Sequence, residues 1–129
     1  MPSSFPSRVA IVTGSGQRVG KVIAQDLSAA GYATGIHYHR SQEAAEQTVD
    51  AIRAAGGTAE VFGADVSSEQ EVQGMFNTSR ACWGRVDVLV NAASIWSSQP
   101  LDEVRAEDML HNFRVKTLGS FLCAQHAAE

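Results

Sequence analysis

The sequence predicts an α/β domain, a doubly wound parallel sheet with helices on both faces, and three observations predict it. Apolar runs of strand length alternate without a break with stretches of helical periodicity along the 129 residues. The first such run, Val9-Ala10-Ile11-Val12, breaks directly into the glycine-rich turn Thr13-Gly14-Ser15-Gly16-Gln17-Arg18-Val19-Gly20. Beyond that turn Val19, Val22, Ile23, Leu27 and Ala30 follow at helical spacing, so buried strand, tight turn and helix succeed one another.

Taken in order, Arg8 to Val12 is strand one, apolar almost throughout, as a strand covered on both faces requires. Helix one runs from about Arg18 to Ala30 and stops at Gly31, a residue suited to the position after a helix. Ala33 to Tyr38 is strand two. Ser41 then caps a helix with Ala45, Val49, Ile52 and Ala55 on one face, ended by Gly56-Gly57. Thr58 to Ala64 is strand three. Ser67 or Ser68 caps the next helix, in which Val72, Met75, Phe76, Ser79 and Trp83 share a register and which Gly84 closes. Val86 to Val90 is strand four. After a loop around Ser97 to Pro100, a last long helix presents Leu110, Phe113, Thr117, Phe121 and Leu122.

Right-handed crossovers place these strands in the order 3-2-1-4, a Rossmann-type sheet. A ligand then belongs at the carboxyl ends of strands one and four, where the winding reverses. Nothing supplies a fifth strand, so the C-terminal strands of such a sheet are missing and one flank is bare, an edge open to association. Residues 1–129 are expected to form one cofactor-binding domain.

Composition narrows the function. With 44% apolar and 19% charged residues, 11 glycines and 3 prolines, the chain has the make-up of a soluble globular protein. A formal net charge of -4 gives no general pull toward nucleic acid or an anionic membrane, and neither is expected as a partner. Cys82 and Cys123 form no C-x-x-C pair and have no metal-ligand spacing. A bridge between them stays open, with buried thiols in a reducing cytosol the favoured reading. Met1 to Ser7 has neither a cationic start nor an apolar core of signal-peptide length. No segment approaches the ~20 apolar residues of a membrane span, so a cytoplasmic location is expected.

The turn after strand one suits a diphosphate: glycines let the backbone come close, and a helix start aims N–H groups and a positive dipole end at the anion. It is not a phosphate loop of the NTPase kind. Five residues rather than four separate Gly14 from Gly20-Lys21, and Val22 follows where a magnesium-binding Ser or Thr is needed. The common G-x-G-x-x-G spacing is also missed by one residue. At the end of strand two, an NAD-selective site would place an acid for the ribose 2′-hydroxyl, yet none lies between Gly31 and Gln42. Arg40 instead offers a planar fork for a 2′-phosphate, and Ser41 adds a hydroxyl or a helix-end N–H. One charge-assisted contact there corresponds to about 10- to 150-fold in favour of NADP over NAD. The bland alternative is that Arg40 is a solvated loop charge. His37 and His39 share a strand face, but with no third ligand nearby no metal is expected, and they are read as polar strand-end residues beside the adenosine.

The turn resembles the T-G-x-x-x-G-x-G signature of short-chain dehydrogenases/reductases: Thr13, Gly14 and Gly20 match, and Arg18 takes the place of the middle glycine. Ala64-Asp65-Val66 is similar to the family's adenine-contacting D-V pair, Leu89-Val90-Asn91-Ala92-Ala93-Ser94 to its N-N-A-G segment, and Val115-Lys116-Thr117-Leu118-Gly119 to its V-N-x-x-G. Within the family the chain looks most like the pteridine reductases, which carry Arg in the glycine loop and an ending of strand two like His37-Tyr38-His39-Arg40-Ser41.

The resemblance implies a bound NADP(H). Gly14, Gln17, Arg18 and Val19 would line its diphosphate, His39, Arg40 and Ser41 its 2′-phosphate, Asp65 and Val66 its adenine, and Asn91, Ala92 and Ser94 the remainder. It also implies a small carbonyl or pterin substrate bordered by Arg18, Ser94 and Trp96; Trp96 serves equally as a hydrophobic plug under its loop.

The family's catalytic Tyr, its Lys four residues later and its upstream Ser belong beyond the matched segments. Tyr32 and Tyr38 are followed at the fourth place by Ile36 and Gln42, and the two lysines are Lys21 and Lys116. Lys116 stands where the family has an Asn in a helix kink that helps hold a water, and Ala92 replaces the second Asn of N-N-A-G. The expectation is an NADP-dependent oxidoreductase whose present residues bind cofactor weakly without turnover. The alternative is a non-catalytic NADP(H)-binding module or redox sensor. In this family the last helix often builds a dimer, so a homo-oligomer through that helix or through the open sheet edge is open; Leu110, Phe113 and Phe121 would suit it and would equally suit packing on the sheet. Asp87 is expected to support its loop, and the acids between Leu101 and Asp108 to favour a helix start.

Overall fold

The computed structural model describes residues 5–129, so the reading of Met1 to Ser4 as part of a leaderless start lies outside the described residues. Four strands, β1 (Val9–Val12), β2 (Ala33–Tyr38), β3 (Ala59–Gly63) and β4 (Val88–Val90), form one parallel sheet in the order β3-β2-β1-β4. Ile11 lies between Gly35 of β2 and Leu89 of β4, which fixes the register across the centre. β4 is shorter than the apolar run suggests. At its leading end the Asp87 carboxylate accepts the Val9 N–H at 2.8 Å, standing where a backbone carbonyl would. Arg85 grips that carboxylate with three contacts of 2.6–3.0 Å and holds its pKa below the ordinary range, so Asp87 does brace its loop.

Helices α1 (Arg18–Ala29) and α2 (Gln42–Ala54) pack on one face, with Val12, Ala24, Ile36, Val49 and Ile52 between them and the sheet. Helix α3 (Glu69–Trp83) and the chain's last helical segment pack on the other, over Val9, Ile11, Phe62, Phe76, Trp83 and Leu122. Phe62 and Trp83 meet edge to face at 5.6 Å between ring centres. All four residues of β1 are fully buried, because the central strand of a doubly wound sheet has helices on both sides.

Three local expectations change. In α1, Val19 and Val22 point outward at 70% and 57% exposure, while Gly20 and Ala24 face the sheet with Ile23 and Leu27 at their flank. Small residues at the contact let the helix start sit directly on the turn, and periodicity of large apolar residues alone points about a residue away. Ser41 occupies the cap position of α2 without a side-chain bond, whereas Ser68 caps α3 by accepting the Glu71 N–H at 3.3 Å. Both cysteines are free, but only Cys123 is buried, its thiol pushed up to about 11 by that burial; Cys82 is exposed.

The last long helix is composite. A short turn at Leu101–Glu103 leads into α4 (Ala106–Phe113), a π-helical stretch at Arg114–Leu118, and α5 (Gly119–Ala127). Leu122, Cys123 and His126 are buried against α3 and the sheet, but Leu110, Phe113 and Phe121 stay half exposed, so packing on the sheet is not their role. No helix among the described residues is long and apolar enough to cross a membrane. The orientation of α1 is checked by unfolding in urea: Ala24→Val is expected to cost about 1–3 kcal/mol by overpacking, and Val22→Gln less than about 0.5 kcal/mol.

Candidate functional site

The turn after β1 is held from beneath by side chains that take up its inward-facing polar groups. Thr13 Oγ1 accepts the N–H groups of Ala92 and Ala93, each at 3.0 Å, and the Thr13 N–H donates to the Val90 carbonyl at 3.0 Å. The turn is thereby stitched to the end of β4. Ser15 Oγ donates to the Val12 carbonyl at 2.6 Å and accepts the His37 N–H at 3.0 Å, which stitches it to β2. Thr48 Oγ1, from α2, donates to the Gly16 carbonyl at 2.9 Å. The imidazole of His37 lies under the turn: Nδ1 accepts the Gly14 N–H at 2.8 Å, and Nε2 lies 2.8 Å from the Ala64 carbonyl. Burial pulls the pKa of His37 down.

Two glycines are required by this closeness. Gly14 has φ +62°, and a side chain there would come within 2.7 Å of the Ala93 Cα. A side chain at Gly20 would fall on the Gly14 carbonyl oxygen, so the first turn of α1 rests on the turn before it. Arg18, at the place of the expected middle glycine, is the one non-glycine described residue with positive φ, at +57°. The departure at this position is in the side chain, and the backbone keeps the left-handed shape that a glycine would allow freely.

The outer face is left for an anion. No side chain caps the start of α1, no acid lies in its first turn, and Gln17, Arg18 and Val19 are exposed there. At the end of β2, His39, Arg40 and Ser41 are exposed as well. Among the described residues neither Arg18 nor Arg40 makes an ion pair. Two guanidinium groups without a carboxylate, beside an uncapped helix start, fit a phosphate-bearing ligand. Asp65, at the end of β3, accepts the Ser67 N–H and hydroxyl at 2.9 and 2.6 Å, and His39 approaches its other oxygen at 4.0 Å. Burial pushes the Asp65 carboxyl up, but the two Ser67 bonds together with His39 and His111 carry it below its usual value. Val66 beside it is buried.

Asn91, Ala92 and Ser94 follow β4 directly, and Asn91 Nδ2 donates to the Ser120 carbonyl at 3.3 Å, linking this end of the sheet to α5. Lys116 lies in the π-helical stretch, exposed, with its carbonyl accepting the Ser120 hydroxyl at 2.7 Å. Such stretches recur where a helix is bent at functional positions. Trp96 is 81% exposed and plugs nothing. A hollow of about 320 Å³ lies further along, between Ser97, Gln99, Val104, Asp108, Met109 and Asn112, and none of the expected site residues lines it.

The turn, the ends of β2 and β3 and the end of β4 thus meet along one end of the sheet, whereas Trp96 stands apart in its loop. Sequence reasoning missed the supports beneath. Ser15 and Thr48 carry no motif signal, and His37, read there as a residue beside the adenosine, is a buried anchor. Its placement in a buried inner strand, two residues before the exposed polar run, is the signal that could have found it.

The short chain dehydrogenase family model matches residues 8–129. A short-chain dehydrogenase/reductase of Pestalotiopsis microspora is 34% identical over 127 residues, 98% of this chain and 48% of that protein. The short-chain dehydrogenase/reductase homolog YusS of Bacillus subtilis is 41% identical over 100 residues, 78% of this chain and 92% of that protein. Among solved structures, a short chain dehydrogenase from Burkholderia cenocepacia in complex with NADP superposes with a TM-score of 0.90 at 29% identity, covering 98% of this chain and 51% of that one. The chain spans about half the length of the first of these relatives and of the solved structure.

Substitutions in the turn separate its two constraints. Gly20→Ala is expected to lower unfolding free energy by about 1–3 kcal/mol, since a backbone atom must move. Arg18→Gly relieves the left-handed strain and is expected to leave stability equal or up to about 1 kcal/mol higher in the same denaturant titration. Thr13→Val, which strands two N–H groups, costs about 1–3 kcal/mol, and Thr13→Ser less.

Proposed function

The chain belongs to the short-chain dehydrogenase family, and we propose that it holds NADP(H) for a reductase that transfers hydride to a carbonyl or a pterin-type C=N bond. The observation that carries this reading is the pairing of an uncapped helix start with two guanidinium groups, Arg18 and Arg40, that have no carboxylate partner among the described residues. Arg18 stands at the start of α1 and Arg40 just past the end of β2, both exposed.

In this reading residues 1–129 are the cofactor-binding domain. Gln17, Arg18 and Val19 bind the diphosphate on the outer face of the turn, and Gly14 lets the backbone stay low enough for it. His39, Arg40 and Ser41 hold the 2′-phosphate. Asp65 and Val66 meet the adenine, and Asn91, Ala92 and Ser94 border the nicotinamide end, with Arg18 and Trp96 on the substrate side. The bound cofactor supplies hydride; the residues here bind it, orient it and give it selectivity. A Y-x-x-x-K pair, which the family uses to protonate the carbonyl, does not occur in this sequence, so residues 1–129 by themselves bind without turning over. A cytoplasmic location fits a carrier of this kind.

A second reading is a non-catalytic NADP(H)-binding module or redox sensor. The Bacillus subtilis relative favours it, because 92% of that protein is matched over only 100 residues of this chain, which itself contains no Y-x-x-x-K. Lys116 and Ala92, at the family's two Asn positions, lean the same way.

Two measurements test the proposal. In calorimetric titration the protein binds NADP+ and NAD+ with a preference for NADP+, and Arg40→Ala weakens NADP+ by about 10- to 150-fold while changing NAD+ little. Indifference to both nucleotides overturns the cofactor reading. An NADPH oxidation assay with carbonyl and pterin substrates separates the two functions: turnover by residues 1–129 overturns the assignment of these residues as a binding half.

A further inference from the structure

We propose that His37 is a positioning residue of the glycine turn that holds Gly14 only while its ring is neutral, so that nucleotide binding weakens as the ring takes up a proton. The inference rests on the reading of the turn as a dinucleotide cradle. It starts from the two ring nitrogens. A backbone N–H can only donate, so the 2.8 Å contact from Gly14 fixes Nδ1 as an acceptor without a proton. The Ala64 carbonyl can only accept, so Nε2 carries the proton. Both bonds are satisfied by one species, the neutral Nε2–H tautomer.

A proton added at Nδ1 leaves the Ala64 bond in place and destroys the other: two N–H donors then face each other across 2.8 Å in a site where His37 is 2% exposed. Gly14 must move away. Its carbonyl lies under Gly20, so the first turn of α1, whose N–H groups serve the anion, moves with it. Ala64 adjoins Asp65 and Val66, which makes one imidazole the link between the diphosphate turn and the adenine side.

The charged groups acting on the ring are His39, just past β2, which opposes its protonation, and Asp65, past β3, which favours it. Gly14 and Ser15, which bond to His37 from the turn after β1, carry no group that titrates in this range. Burial is the largest influence and lowers the ring's pKa below its ordinary 6.5. The unfolded chain therefore binds more protons than the folded one below that pH. The cradle is whole above about 6.5 and is lost as pH falls through the lowered folded value.

Two experiments decide it. Nitrogen-15 NMR of the nucleotide-free protein between pH 8 and 5 is expected to show an unprotonated Nδ1 at pH 8, and a Gly14 amide that shifts with the same midpoint as the His37 ring. A proton on Nδ1 at pH 8, or a Gly14 amide that stays still while the ring titrates, overturns the proposal. Calorimetry with NADP+ at pH 8 and 5.5 compares wild type with His37→Asn, whose amide oxygen can stand where Nδ1 stands but does not titrate. The 2′-phosphate and every ionisable side chain other than His37 are common to both proteins, so their effect cancels in the comparison. The loss of affinity from pH 8 to 5.5 is expected to be about tenfold larger in wild type. Equal losses overturn the proposal. Absence of NADP+ binding at either pH, with His37 and Gly14 still titrating together, overturns the cofactor reading and the binding consequence while leaving the latch itself.

Discussion

The site depends on one constraint: a turn packed against the ends of three strands cannot leave its inward-facing backbone groups without partners. Thr13 takes the N–H groups of Ala92 and Ala93, His37 takes that of Gly14, Ser15 bridges Val12 and His37, and Thr48 closes on Gly16. Because the turn's own inward-facing Thr13 and Ser15, with His37 of β2 and Thr48 of α2, do this from below, the turn needs no help from its outer face. The donors at the start of α1 and the guanidinium groups of Arg18 and Arg40 remain open to a ligand. Support below and availability above are two sides of the same arrangement.

The strand order puts that arrangement where it can act. β1 lies at the centre, with β2 and β3 on one side and β4 on the other, so the ends of β1 and β4 diverge beneath opposite helical layers. The two sides are not equally covered. β1 is fully buried, while Val88, Leu89 and Val90 of β4 are each only partly so, and Met109, Leu110, Phe113 and Phe121 stand open on the helices that follow. These surfaces lie on the β4 side, and the chain covers about half the length of the relatives first matched.

Two cationic residues stand on irregular backbone. Arg18 has φ +57°, a left-handed conformation that costs a non-glycine residue about 1–2 kcal/mol. Lys116 lies, exposed, within the π-helical stretch that joins α4 to α5.

Strand order, the alternation of strands with the first three helices and the position of the turn were legible in the sequence, since they follow from apolar periodicity and from glycines that local sterics demand. The cluster of His39, Arg40 and Ser41 was legible too, because an absent acid and a present guanidinium are facts of composition at one place in the chain. Which face of α1 meets the sheet was not: Gly20 and Ala24 carry almost no apolar signal, and their role comes from how closely the helix must approach Gly14. Nor was the part played by Ser15, Thr48 and His37. Each is an ordinary polar residue until folding brings a backbone group from elsewhere, 32 positions away for Thr48 and 23 for His37, within hydrogen-bond reach. The sequence by itself determined the layout; only the tertiary structure decided what holds the turn, because buried polar groups choose partners by proximity in space.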